Sequence, residues 1–192
     1  PLEDSYMPAF LVGLGLARSL AAVNEIPLWQ ISHQENHLEA GLWSAQGPDA
    51  DRFLLLHASG GTTDLLLAEK QTDSTYALTQ AGGSKDLHAG QFVDRVGVAL
   101  GLQFPAGAAL EQLAATAADC IELPVAVRQG DVSLSGPATA ALRKIEAGAD
   151  PTALAAGVQY ALAETFVRMI RNVAAQKEIF DVLLVGGVVS NA

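Results

Sequence analysis

The sequence predicts an α/β protein, a sheet covered by helices, on three observations. Segments of helical period alternate with short apolar runs of strand length. Half of the 192 residues are hydrophobic and 17% are charged, which supplies a core and excludes a disordered chain, a collagen or a coiled coil. Glycine pairs at 60–61, 82–83 and 186–187 punctuate the apolar runs. The length suits one sizeable domain or two small lobes.

Residues 8–24 carry Leu11, Leu14, Leu16, Leu20 and Val23 at helical spacings, with Pro8 suited to a first turn. Residues 26–31 read as a short strand entered through Pro27. Ser32 with Glu35 forms the start signal of a helix over 33–44. After a loop at 46–51, strands at 53–57 and 62–69 flank Gly60-Gly61 as a hairpin, and 75–79 is a third strand. Gly82-Gly83-Ser84 is expected to break the chain. Helices are expected at 87–100 and 110–118, separated by a Pro/Gly loop, with 123–132 irregular or extended. A helix over 137–147 closes near Gly148. Asp150 as N-cap and Pro151 at the first position open the longest helix, to about residue 177. An apolar strand at 181–185 ends at Gly186-Gly187.

The formal net charge is −10, from 21 acidic against 11 basic residues. Such a chain is a poor solitary binder of nucleic acid or of an anionic membrane surface. The single cysteine, Cys120, cannot form an internal disulfide. The longest apolar run, 7–17, stops at Arg18, short of the ~20 residues a bilayer requires, and acidic Glu3 and Asp4 precede it where a signal peptide is basic. The expectation is a cytoplasmic protein without membrane attachment. The start at Pro1 and the end in a strand-to-helix turn suggest a piece of a longer protein.

Four stretches could carry chemistry. In His33-Gln34-Glu35-Asn36-His37 the imidazoles at i and i+4 share one helix face and could hold a divalent metal, or they could pack or face solvent. Gln34 stands where a zinc peptidase has its glutamate base. In His57-Ala58-Ser59-Gly60-Gly61-Thr62-Thr63 the glycines admit an anion to backbone N–H groups, or simply make a hairpin turn. Asp94, one turn after Gly90 and followed by Pro105-Ala106-Gly107, could address a ribose hydroxyl or a metal-bound water, or could belong with Arg95 to a solvated helix face. The strand–Gly186-Gly187 turn, leading to Ser190 and Asn191, lies where open sheets bind ligands, and also suits a tight strand–helix connection.

The order of these motifs, with Ser133-Leu134-Ser135-Gly136 between the last two, resembles the TsaD family of tRNA threonylcarbamoyladenosine transferases, once called O-sialoglycoprotein endopeptidases. The resemblance runs from about residue 6 to residue 191. It implies the actin-like ATPase (ASKHA) fold, two lobes around a nucleotide cleft. Residues 1–32 would end the first lobe, and 33–192 would hold the metal helix and the second lobe, truncated at its C-terminus. By the same resemblance His33 and His37 are metal ligands for iron or zinc, with a distant aspartate beyond Ala192. His57, Ala58, Ser59, Gly60 and Gly61 lie against the adenylate or phosphates, Asp94 and Gly107 against the ribose, and Asn191 against the adenine. The implied ligands are one divalent metal and ATP or threonylcarbamoyl-adenylate.

The implied reaction is metal-assisted transfer of threonylcarbamoyl from its adenylate to N6 of adenosine 37 in tRNA, with no side-chain nucleophile. Implied partners are the subunits of a tRNA-modifying complex, with tRNA held through them and through basic strips such as Arg168, Arg171 and Lys177; a homodimer stays open. The pattern departs from the family at Gln91 (a glutamate there), at Thr62 (a histidine) and at Pro105-Ala106-Gly107-Ala108 (Pro-Gly-Gly-Pro). The competing reading is a non-catalytic paralogue that binds nucleotide or a partner protein; a metalloendopeptidase has least support.

Overall fold

The computed structural model describes residues 8–190, so Asn191 lies outside the described residues. The chain divides between Asn36 and His37 into two compact units.

In the first unit α1 spans Pro8–Val23. It ends where Asn24 Nδ2 donates to the Leu20 carbonyl at 2.8 Å and Glu25 takes a left-handed φ of 52°. The strand expected at 26–31 does not form. A strand exists only by pairing, and among the described residues of this unit none supplies a ladder; Ile26, Leu28, Trp29 and Ile31 are exposed. The next helix, α2 (His33–Ala45), begins as its signal predicts. The Glu35 N–H donates to Ser32 Oγ at 3.1 Å, and the Ser32 N–H donates to the Glu35 carboxylate. Those Ser32 hydrogen bonds lower the pKa of Glu35.

The second unit is built on a six-stranded sheet. Its strands are β1 (Arg52–Ala58), β2 (Thr63–Lys70), β3 (Tyr76–Ser84), β4 (Ala126–Arg128), β5 (Asp131–Ser133) and β6 (Val182–Val185). The order across the sheet is β4-β5-β3-β2-β1-β6. β1, β2 and β3 form an antiparallel meander, while β6 joins β1 in parallel, with His57 opposite Val185. β1 is apolar on both faces because both are covered. Leu54 and Leu56 pack with Met169 and Val173 of α6 (Pro151–Lys177), and Phe53 and Leu55 pack with Leu38 of α2. The remaining helices, α3 (Ala89–Ala99), α4 (Gly107–Ala114) and α5 (Ser135–Glu146), join the α6 side through Phe92, Val96, Leu110 and Ala138.

The glycines at 82 and 83 do not break the chain; β3 runs through them. They permit a close approach: a Cβ on Gly82 would stand 2.0 Å from the Gly130 carbonyl oxygen. α6 starts as its sequence predicts, with Asp150 accepting from the Thr152 and Ala153 N–H groups at 3.3 Å each.

The Ser133-Leu134-Ser135 stretch works as an anchor for Asp86. This carboxylate accepts from the N–H groups of Leu87 (2.6 Å), Leu134 (2.9 Å) and Ser135 (3.2 Å) and from Ser133 Oγ (2.6 Å), as well as from Ser135 Oγ. It thereby ties the segment before α3 to the N-terminus of α5, where negative charge is favoured. Burial opposes its ionisation, but the hydrogen bonds from Ser133, Ser135, Leu134 and Leu87 outweigh it and hold the carboxyl well below the usual range. A folded-state pKa below the unfolded one stabilises above the unfolded pKa and is lost as pH falls through the folded one. Asp86→Asn is therefore expected to cost about 1–2 kcal/mol at pH 7, the side chain being partly solvated. Urea unfolding of both proteins should show that deficit shrinking only below about pH 4; a deficit constant with pH would show that charge plays no part.

Candidate nucleotide cleft and metal centre

Three backbone segments of the second unit converge at the carboxyl end of β1. The β1–β2 hairpin closes tightly, the Ser59 N–H donating to the Thr62 carbonyl at 2.8 Å. The first turn of α3 leans on it. The Gly90 N–H donates to the Ser59 carbonyl at 3.1 Å, and the Ala89 N–H donates to Oγ1 of buried Thr63 at 2.8 Å. A Cβ on Gly90 would stand 2.6 Å from Gly60 Cα, so only glycine permits this approach. From the other side, Gly186 adopts φ +103° after β6, where a Cβ would meet the Ala58 carbonyl oxygen at 2.3 Å. The Val188 N–H donates to that same oxygen at 3.1 Å.

A cavity of about 350 Å³ lies among these segments and α4. Its wall includes Gly60, Asp94, Gly107, Glu111, Gly187 and Ser190. Three of the expected nucleotide residues, Gly60, Asp94 and Gly107, are therefore brought together. Asp94 Oδ1 accepts from the Ala106 N–H at 2.7 Å, which fixes the carboxylate at the start of α4. Gly60, Gly107 and Gly187 face open space, where a Cβ would meet nothing within 4 Å.

His57, Ala58, Ser59 and Gly61 do not line this cavity. His57 and Ala58 are fully buried in β1. The His57 ring lies against His37, with centroids 4.1 Å apart and planes tilted by 39°. Within α2, His33 precedes His37 by one turn, so helical period sets both imidazoles on one face. Opposite His57 on β2 is Asp64, half-buried; burial raises its pKa against the opposing charges of His88 and Lys85.

Glu111 stands in none of the four stretches, and Ser190 enters the fourth only as part of the turn after β6. Glu111 follows Gly107 by one turn of α4, and that spacing was the available signal. Gln91, where the family carries glutamate, keeps a task that needs only an acceptor: its Oε1 receives the His88 N–H at 3.1 Å, at the start of α3.

A helix-covered sheet with a glycine-framed cleft at the carboxyl end of β1 fits the actin-like class of α/β folds. Comparison with known proteins makes the assignment particular. The family profile described as "TsaD: tRNA N6-adenosine threonylcarbamoyltransferase" matches residues 6–192. The chain belongs to the TsaD family.

A tRNA N6-adenosine threonylcarbamoyltransferase of Methanopyrus kandleri is 36% identical over 186 residues, 96% of this chain and 52% of that protein. One of Thermus thermophilus is 36% identical over 186 residues, 95% of this chain and 55% of that protein. A Methanothermobacter thermautotrophicus protein named "Probable bifunctional tRNA threonylcarbamoyladenosine biosynthesis protein" is 34% identical over 184 residues, 96% of this chain and 33% of that protein. The chain spans about half the length of the first two relatives. Among the described residues no helix is long and apolar enough to cross a membrane.

Replacing Gly60 by valine adds volume to the cavity without a clash in the empty protein. If the cavity takes a nucleotide, millimolar ADP should raise the thermal unfolding midpoint of the wild type, and Gly60→Val should leave the ligand-free midpoint within about 2 °C of wild type while abolishing that rise. Undiminished stabilisation by ADP would show that the hairpin does not border the nucleotide.

Proposed function

We propose that this chain supplies the nucleotide cleft and the metal-binding side chains of an enzyme that transfers a threonylcarbamoyl group from its adenylate to N6 of adenosine 37 in tRNA. The observation that carries the proposal is the convergence of Gly60, Asp94, Gly107 and the turn after β6 on one cavity, in a chain of the TsaD family. Asp94 commits Oδ1 to the Ala106 N–H and keeps Oδ2 for a ribose hydroxyl. The Cβ-free Gly60-Gly61 turn offers backbone N–H groups to phosphate oxygens or to the carbonyl oxygen as charge develops on it. Ala58 and Ser59 hold that turn, and Asn191 serves the adenine side.

The donor set fits a borderline divalent ion, iron or zinc. His33 and His37 stand one turn apart along α2, and the His57 ring lies against that of His37, so imidazole nitrogens are the donors on offer. His57 thus serves the metal rather than the nucleotide. When bound, the ion supplies Lewis-acid polarisation of the carbonyl.

In the transfer, adenosine N6 attacks the carbamoyl carbon and the carbon–oxygen bond to the phosphate breaks. AMP leaves with the electron pair, and the N6 proton passes to solvent. So good a leaving group makes a side-chain nucleophile unnecessary. With a net charge of −10 the chain needs help to hold tRNA. Exposed Arg168, Arg171 and Lys177 on α6 and the partner subunits of a modifying complex supply it.

Two measurements test this reading. The full chain, given its partner subunits, threonylcarbamoyl-adenylate and unmodified tRNA, should form threonylcarbamoyladenosine; folded, nucleotide-binding protein that forms none would refute the transferase assignment. Elemental analysis of purified His33→Ala and His57→Ala proteins should show the metal-to-protein ratio falling from near one toward zero, and an unchanged ratio would remove that residue from the ligand set.

A further inference from the structure

A second cavity of about 300 Å³ lies beside His37, bounded by Gly41, Ser44, Val185 and Gly186. Like the nucleotide cleft it lies wholly within the second unit. Ser190 lines both cavities, and no other described residue does. A ligand with its nucleoside beside Asp94 and its far end beside His37 therefore passes Ser190.

We propose that Ser190 is a specificity-determining residue that reads the acyl part of the bound adenylate; this rests on the nucleotide reading given above. Ser190 Oγ donates its proton to the Gly187 carbonyl at 2.9 Å, so toward a ligand it acts as an acceptor. The phosphate oxygens of ADP or ATP are themselves acceptors near neutral pH and gain nothing from it. A threonylcarbamoyl group carries a carbamate N–H and a hydroxyl, both donors. The two preceding residues of the turn, Val188 and Val189, have no polar side-chain atom to take over the task. The hydroxyl of Ser190 thus favours the acyl-adenylate over nucleotides that present only phosphate at this place.

Titration calorimetry of the full chain with two probes, ADP and a hydrolysis-resistant threonylcarbamoyl-adenylate analogue, tests this. Ser190→Ala should weaken the analogue about tenfold and leave ADP within about twofold, the loss expected for one hydrogen bond. Ser190→Thr, which keeps the hydroxyl, should recover most of the analogue's affinity. An equal loss for both probes, or none for the analogue while ADP still binds, would overturn the inference and leave the nucleotide cleft standing. Failure of wild-type protein to bind either probe would remove the cleft and this inference together.

Discussion

The contact on which the site depends is a backbone-to-backbone approach. The first turn of α3 rests on the β1–β2 hairpin so closely that Gly90 has no room for a Cβ, and Thr63 beneath it spends its hydroxyl oxygen on the Ala89 N–H. Gly186 completes the clasp from β6 by crowding the Ala58 carbonyl. The space they leave is lined by three glycines that face it, by the apolar side chains of Val93 and Val188, and by the polar groups of Asp94, Glu111 and Ser190. Glycine is needed for two different reasons here. At Gly90 and Gly186 the protein itself fills the place of the side chain, whereas at Gly60, Gly107 and Gly187 the space is open to a ligand.

The sheet makes that clasp rigid. β1 is buried on both faces between α6 and α2, so the position of its carboxyl end is set by two packed layers. His57 is the last residue before β1 runs out into Ala58 and the turn, and it faces His37 where α2 crosses the sheet. The Asp86 anchor does similar service on the α5 side. It gathers hydrogen bonds from Ser84, Ser133 and Ser135 and from three backbone N–H groups, so that the Ser-Leu-Ser motif holds the fold and does not line the cleft.

Elements whose cause is local were legible. The Ser32–Glu35 pair and Asp150-Pro151 started their helices where expected, because a cap is satisfied by neighbours two or three residues away. Residues 26–31 have the composition of a strand and are not one, since the ladder that a strand needs is supplied by other parts of the chain. Gly82-Gly83 reads as a break and lies within β3, because the reason for those glycines is Gly130, far along the sequence.

The same division runs through the site. Spacing within one helix was enough to pair His33 with His37, and the order of motifs along the chain was enough to indicate the family. Gly60, Asp94 and Gly107 could be named beforehand from that order. That Glu111 and Ser190 share their cavity, and that His57 turns away from it toward His37, depended on how α4, β6 and α2 pack against the sheet. A run of residues specifies its own hydrogen-bonded turns, but which distant backbone comes within van der Waals reach is settled when the layers close.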